Sequence, residues 1–167
     1  MDQARFAIYP VSVGAGQIAL SPILGRFGTY EDNLSTILHW GPSLVLTMTT
    51  QAELDRTGAA GLGADLLAVG IGWHHLPIVD FGAPDAHVEG KWAEVSAQSA
   101  EILAQGGKIL THCFGGCGRS GMAALRLMVE AGEDADTALT RLRQARPCSV
   151  ETDAQMAWAT CGTSSAV

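Results

Sequence analysis

Residues 119–132 read RSGMAALRLMVEAG, a helical stretch whose apolar side chains cover nearly its whole circumference. Its one polar stripe is Arg126 and Glu130, a turn apart at i,i+4. A helix of that kind has to be enclosed by protein on most sides. It is entered from KILTHC (108–113), a short apolar strand, through the glycine-rich loop FGGCG (114–118). A buried strand feeding a buried helix through a tight loop calls for a sheet with helices on both faces.

The rest of the chain keeps that alternation. RFAIYPVSV and QIALS read as strands joined by a turn at Gly14–Gly16. YEDNLSTILHWG reads as a helix, with acids in its first turn and Gly41 past its end. SLVLTM has the length and apolarity of a strand buried on both faces, and IGWHHLPIV reads as another strand. Between them, GAAGLGADLLAVG is a helix weakened by its glycines. After Pro84, the residues Val88, Trp92, Val95, Ser99 and Ile102 share one helical face that closes at Gly106–Gly107. DADTALTRLRQARP is amphipathic and stops at Pro147, and ETDAQMAWATCG makes a last helix. GAGQIA (14–19) fits a dinucleotide fingerprint, but Pro22 leaves no room for the helix that site needs, so a hairpin turn is expected. The expectation is one α/β domain over residues 1–167, with a central, mostly parallel sheet flanked by helices on both faces.

Charge narrows the function classes. Seventeen Asp and Glu against ten Lys and Arg give a net charge of −7, which excludes a broad nucleic-acid or anionic-membrane surface. No apolar run reaches the roughly 18 residues of a membrane helix. The start MDQARFAIYP lacks a signal-peptide core, so a cytoplasmic location is expected. In that compartment Cys113, Cys117, Cys148 and Cys161 are expected as free thiols, with a protective Cys113–Cys117 disulfide as the alternative under oxidation.

The loop carries the chemistry. In THCFGGCGRSG, a cysteine and an arginine enclose five residues on a strand–loop–helix path. Gly115, Gly116 and Gly118 let main-chain N–H groups turn inward, and the helix starting near Arg119 adds its own unpaired N–H groups. That makes a nest for a tetrahedral dianion, built from Phe114, Gly115, Gly116, Cys117 and Gly118 and closed by a bidentate fork from Arg119. The same nest and cation favour the thiolate of Cys113, the form that attacks. Ser120 is placed to donate to that sulfur, and His112 to hydrogen-bond the loop backbone. His112, Cys113 and Cys117 have no close second ligand pair, so no metal is expected. On the loop IVDFGAPD, Asp80 can supply a proton to a leaving oxygen, with Asp85 second in rank because it suits a helix cap. His74 and His75, adjacent on a strand, point to opposite faces, one of them expected to support that loop.

At these residues the chain resembles the cysteine-dependent protein tyrosine phosphatase superfamily, whose signature H-C-x5-R-[ST] is met by His112, Cys113, Arg119 and Ser120. More narrowly, WHHLPIVDFGAPD followed by THCFGGCGRS is similar to the kinase-associated and related dual-specificity phosphatases, over about residues 40 to 160. The resemblance implies that Asp80 is the general acid and that Gln155, in ETDAQ, orients the hydrolytic water from a later loop. It implies hydrolysis of phosphotyrosine, and of phosphoserine or phosphothreonine in a shallow pocket, with a phosphorylated protein or other phosphomonoester as substrate and no cofactor. Two other readings stay open: a phosphate-binding module without turnover, and a sulfurtransferase or arsenate reductase, where Asp80 and Gln155 would have no task.

Overall fold

The computed structural model describes residues 5–161. The opening residues that bear on the chain start, and Gly162 at the end of the last expected helix, lie outside them. Among the described residues five strands run β1 Tyr9–Val13, β2 Gly16–Ser21, β3 Leu44–Thr47, β4 Gly72–His75 and β5 Lys108–His112. They form one sheet in the order β1-β2-β5-β3-β4. The β1–β2 hairpin is antiparallel, with Val13 opposite Gly16, and every other neighbour is parallel. The mostly parallel sheet expected from the sequence is the one observed.

Among the described residues seven helices cover it: α1 Tyr30–Trp40, α2 Gln51–Thr57, α3 Leu62–Ala68, α4 Ala86–Ala104, α5 Gly118–Glu130, α6 Ala135–Ala145 and α7 Asp153–Thr160. The period-2 alternation of the strands sorts their side chains between two cores. Val45, Leu110 and Ala19 meet Ile37, Leu54, Leu62 and Leu66 of α1, α2 and α3. Leu44, Leu46, Ile109, Ile18 and Leu20 meet Trp92 and Val95 of α4, Met122 and Leu125 of α5, and Leu142 of α6. Helix α5 is buried along nearly its whole length, as its circumference of apolar residues requires. The Arg126–Glu130 pair is made at 2.8 Å, and Trp92 Nε1 and Ser96 Oγ also donate to Glu130. Among the described residues no helix is long and apolar enough to cross a membrane.

The fold departs from expectation in three places. The strand expected over IGWHHLPIV ends at His75: β4 is an edge strand, and Pro77 has no N–H with which to continue the ladder. Helix α2, absent from the sequence reading, starts at Thr50 in a capping box, with Glu53 bonding back to the N-cap. The cysteines are not all thiols, because Cys117 and Cys148 form a disulfide. This excludes the alternative Cys113–Cys117 pairing here and ties the glycine loop to the segment after α6.

Candidate active site

The loop from Cys113 to Arg119 leaves the carboxyl end of β5 and enters α5 at Gly118. Its carbonyls are taken up from outside. Phe114 O accepts from Ile23 N and from Arg26 Nη1, both at 3.2 Å. Gly115 O and Gly116 O accept from Arg146 at 3.0 and 3.2 Å. Cys117 O accepts from Gly121 N and Val150 N. Since a trans peptide points its N–H opposite its C=O, this turns the loop amides inward. Gly116 is forced by space: with φ at +74°, a Cβ there would stand 2.8 Å from the backbone atoms Ser21 C and Pro22 N. At Gly118 a Cβ would meet only the ends of the Glu151 and Gln155 side chains.

Cys113 is buried, with its sulfur 3.2 Å from Ser120 Oγ. Ser120 lies in the first turn of α5, where the helix presents unpaired N–H groups. Arg119 is 1% exposed and is held by a carboxylate the sequence reading missed. Its Nη1 donates to Glu53 Oε2 and to Ile78 O, and its Nη2 to Glu53 Oε1, all at 2.8 Å. Burial works against the charge of Arg119, and bonding to Glu53, with Cys113 and Asp80 nearby, outweighs it and raises its pKa. For Glu53, burial opposes ionisation, but bonds from Arg119 and Thr50 prevail and lower its pKa. The T-x-x-E spacing of the capping box was the available signal for Glu53, but that pattern announces a helix start rather than a partner for an arginine 66 residues away.

Asp80 Oδ1 lies 3.2 Å from Arg119 Nη2, and the Asp80 side chain is 56% exposed. The hydrogens of Arg119 not taken by Glu53 and Ile78 are therefore on Nε and Nη2, with Asp80 standing beside the second. Asp80 also accepts from Phe81 N, and Phe81 holds a left-handed φ of +63°. Asp85, second in rank as acid, is the N-cap of α4 and accepts from Val88 N at 3.0 Å. Gln155 stands in the first turn of helix α7 rather than on a loop. Fully buried, it accepts from Glu151 N and Thr152 N and donates to Gly82 O, so one amide joins α7 to the loop carrying Asp80.

His112 ends β5 with its Nε2 2.7 Å from Thr47 Oγ1 on β3, and Thr47 also accepts from Trp73 Nε1. Complete burial pushes the imidazole down to about 4, so it is neutral at physiological pH. Of the histidine pair, His74 bonds Gln98 on α4, while His75 donates to Thr49 O just before α2. The support expected for the Asp80 loop is instead support for the helix that carries Glu53.

Cys113, Ser120, Arg119 and Asp80 thus come together beyond the carboxyl ends of parallel strands, where sheets of this kind bind ligands. The family described as Cyclin-dependent kinase inhibitor 3 (CDKN3) matches residues 32–137. The chain belongs to that family. The mouse (Mus musculus) Cyclin-dependent kinase inhibitor 3 is 36% identical over 89 residues, 53% of this chain and 41% of the mouse protein. The rat (Rattus norvegicus) protein is 35% identical over 85 residues, 51% of this chain and 39% of its own length. The chain thus matches about two fifths of the length of these curated relatives. Among solved structures, a kinase associated phosphatase carrying serine for its catalytic-site cysteine superposes with a TM-score of 0.81 at 21% identity, covering 99% of this chain and all of that one. Tk-PTP in its active form gives 0.66 at 28% identity, covering 90% and 93%.

Proposed function

We propose that this chain is a metal-independent phosphomonoester hydrolase acting on phosphoproteins through a phosphocysteine intermediate. The observation that carries the reading is the Cys113 sulfur, 3.2 Å from Ser120 Oγ, in a loop whose arginine is fixed by Glu53 and met by Asp80. The Cys113 thiolate attacks phosphorus in line, forming the P–S bond as the P–O ester bond breaks. The loop amides and the Nε and Nη2 hydrogens of Arg119 hold the equatorial oxygens. The incoming phosphate takes the place of Asp80 beside Nη2, and Asp80 protonates the departing alcohol or phenol. A water positioned by Gln155 then attacks phosphorus, losing its proton to Asp80, and Ser120 stabilises the sulfur as it leaves. His112 fixes the end of β5 through Thr47 and takes no proton. Amides and a guanidinium supply the charge stabilisation that Mg²⁺ gives to kinases.

Phosphotyrosine is the first substrate to test, with phosphoserine and phosphothreonine beside it. Hydrolysis of p-nitrophenyl phosphate in EDTA tests the chemistry. Wild type is expected to turn over fully, while Cys113→Ser and Arg119→Ala lose turnover. Activity that EDTA abolishes, or that Cys113→Ser retains, refutes the mechanism.

A further inference from the structure

We propose that Arg26 and Arg56 form a second anion subsite beside the loop, selecting phosphopeptides that carry another acidic or phosphorylated side chain within about two residues of the one hydrolysed. This rests on the phosphoprotein reading above and adds a substrate preference to it.

Phe114 follows the nucleophile directly, and two guanidinium groups flank its ring, Arg26 at 4.3 Å and Arg56 at 5.0 Å from the centroid. Arg26 also lies 4.6 Å from the Phe27 ring, and its Nη1 donates to Phe114 O. It is therefore fixed in direction by two aromatic faces and one carbonyl, although exposed. Arg56 is exposed on the last turn of α2, one turn beyond Glu53, so the helix that positions Arg119 positions Arg56 as well.

Arg119, Arg126 and Arg141 each pair with a carboxylate, whereas Arg143 and Arg146, like Arg26, bond main-chain carbonyls. Among the described residues neither Arg26 nor Arg56 has a carboxylate partner, in a chain with seven more acids than bases. Two like charges held against one ring repel each other, and an anion bound beside either of them relieves that repulsion. Both guanidinium groups sit on the side chain of the residue that follows Cys113, and an extended peptide advances about 3.3 Å per residue, so the neighbours of a phosphorylated residue held by the loop are the ones to test.

The occupant is a peptide rather than a lipid headgroup. A net charge of −7 repels an anionic bilayer, and two arginines do not make a basic face. On the acid loop, Val79 and Phe81 flank Asp80 with 68% and 59% of their surface exposed, a pair of apolar side chains that a peptide can cover.

The test measures binding in the full chain carrying Cys113→Ser, so that substrate survives. Three phosphotyrosine peptides differ only beside the phosphotyrosine, which is followed by glutamine, glutamate or phosphoserine. Exposed ion pairs of this kind lead us to expect binding about five-fold tighter for the acidic peptides, a gain that fades at high salt. Adding Arg56→Gln, which touches no loop atom by hydrogen bond, should remove most of that gain, and Arg56→Lys should keep part of it. A gain from either anion supports the subsite, and the ranking of glutamate against phosphoserine identifies the group preferred. Equal affinity for all three peptides, an unchanged preference in Arg56→Gln, or stronger binding to phosphatidylinositol phosphate vesicles overturns it. Turnover of p-nitrophenyl phosphate by the wild type is scored separately. Turnover without the preference sinks the subsite alone, and the preference without turnover sinks the catalytic reading alone.

Discussion

Two loops meet at Arg119, and they are built in opposite ways. The loop from Cys113 to Arg119 is held from outside by Arg26, Arg146, Ile23 and Val150, and covalently through Cys117–Cys148. The loop from Leu76 to Ala83 has its centre in solvent, with Val79, Asp80 and Phe81 exposed. Its links to the cradle are few: Ile78 O and Asp80 on Arg119, and Gly82 O on Gln155. A cradle for a dianion gains from rigidity, because amides aimed in advance need no reorganisation when charge arrives. In the proposed reaction Asp80 is the proton donor, which has to follow a leaving group in and out, so loose attachment suits it. The same arginine serves both, anchored by Glu53 on one edge and facing Asp80 on the other.

Substitutions can separate the two designs. The largest effect is expected from Asp80→Ala: a loss of about 10²- to 10⁴-fold in kcat. Its urea midpoint should hardly move, since an exposed loop position contributes within about 0.5 kcal/mol. A large stability loss would show that the acid loop is as tightly built in as the cradle. Glu53→Ala, unlike Asp80→Ala, should cost stability. It leaves a buried guanidinium without its main carboxylate, which costs about 3–5 kcal/mol in stability measured by urea unfolding. A folded, equally stable Glu53→Ala protein would mean that Arg119 is held by other groups. The smallest effect is a pH dependence from His112. Its folded pKa of about 4 lies below the ordinary 6.5, so the unfolded chain takes up this proton first as the solution is acidified. The stability in question is complete above pH 6.5 and is lost toward pH 4, in total about 3 kcal/mol, and His112→Gln should flatten that stretch of the curve.

Much of this was legible in the chain, for reasons that differ by element. The circumference of α5 required burial, and the glycines of FGGCG announced a turn with room for inward amides. The site residues next to one another in sequence, Cys113, Arg119 and Ser120, could be placed because the strand–loop–helix path fixes their neighbourhood. Helix α2 escaped because TQAELDRTG is short and polar, with only Leu54 as a core residue, so no apolar period marks it. Glu53 escaped with it. Arg146 and Cys148 escaped because their roles depend on how α6 returns toward the loop, a long-range packing result with no local signature. The edge position of β4, which lets the chain leave the sheet at Pro77, is likewise a property of strand order.

The bond between Cys117 and Cys148 spans 31 positions, and helices α5 and α6 both lie inside the ring it closes. A protease that nicked the exposed turn at Ala131–Gly132 would convert that ring into a two-chain clasp, still fastened at its base. The cut ends could part while the glycine loop stayed tethered to the segment leading into α7.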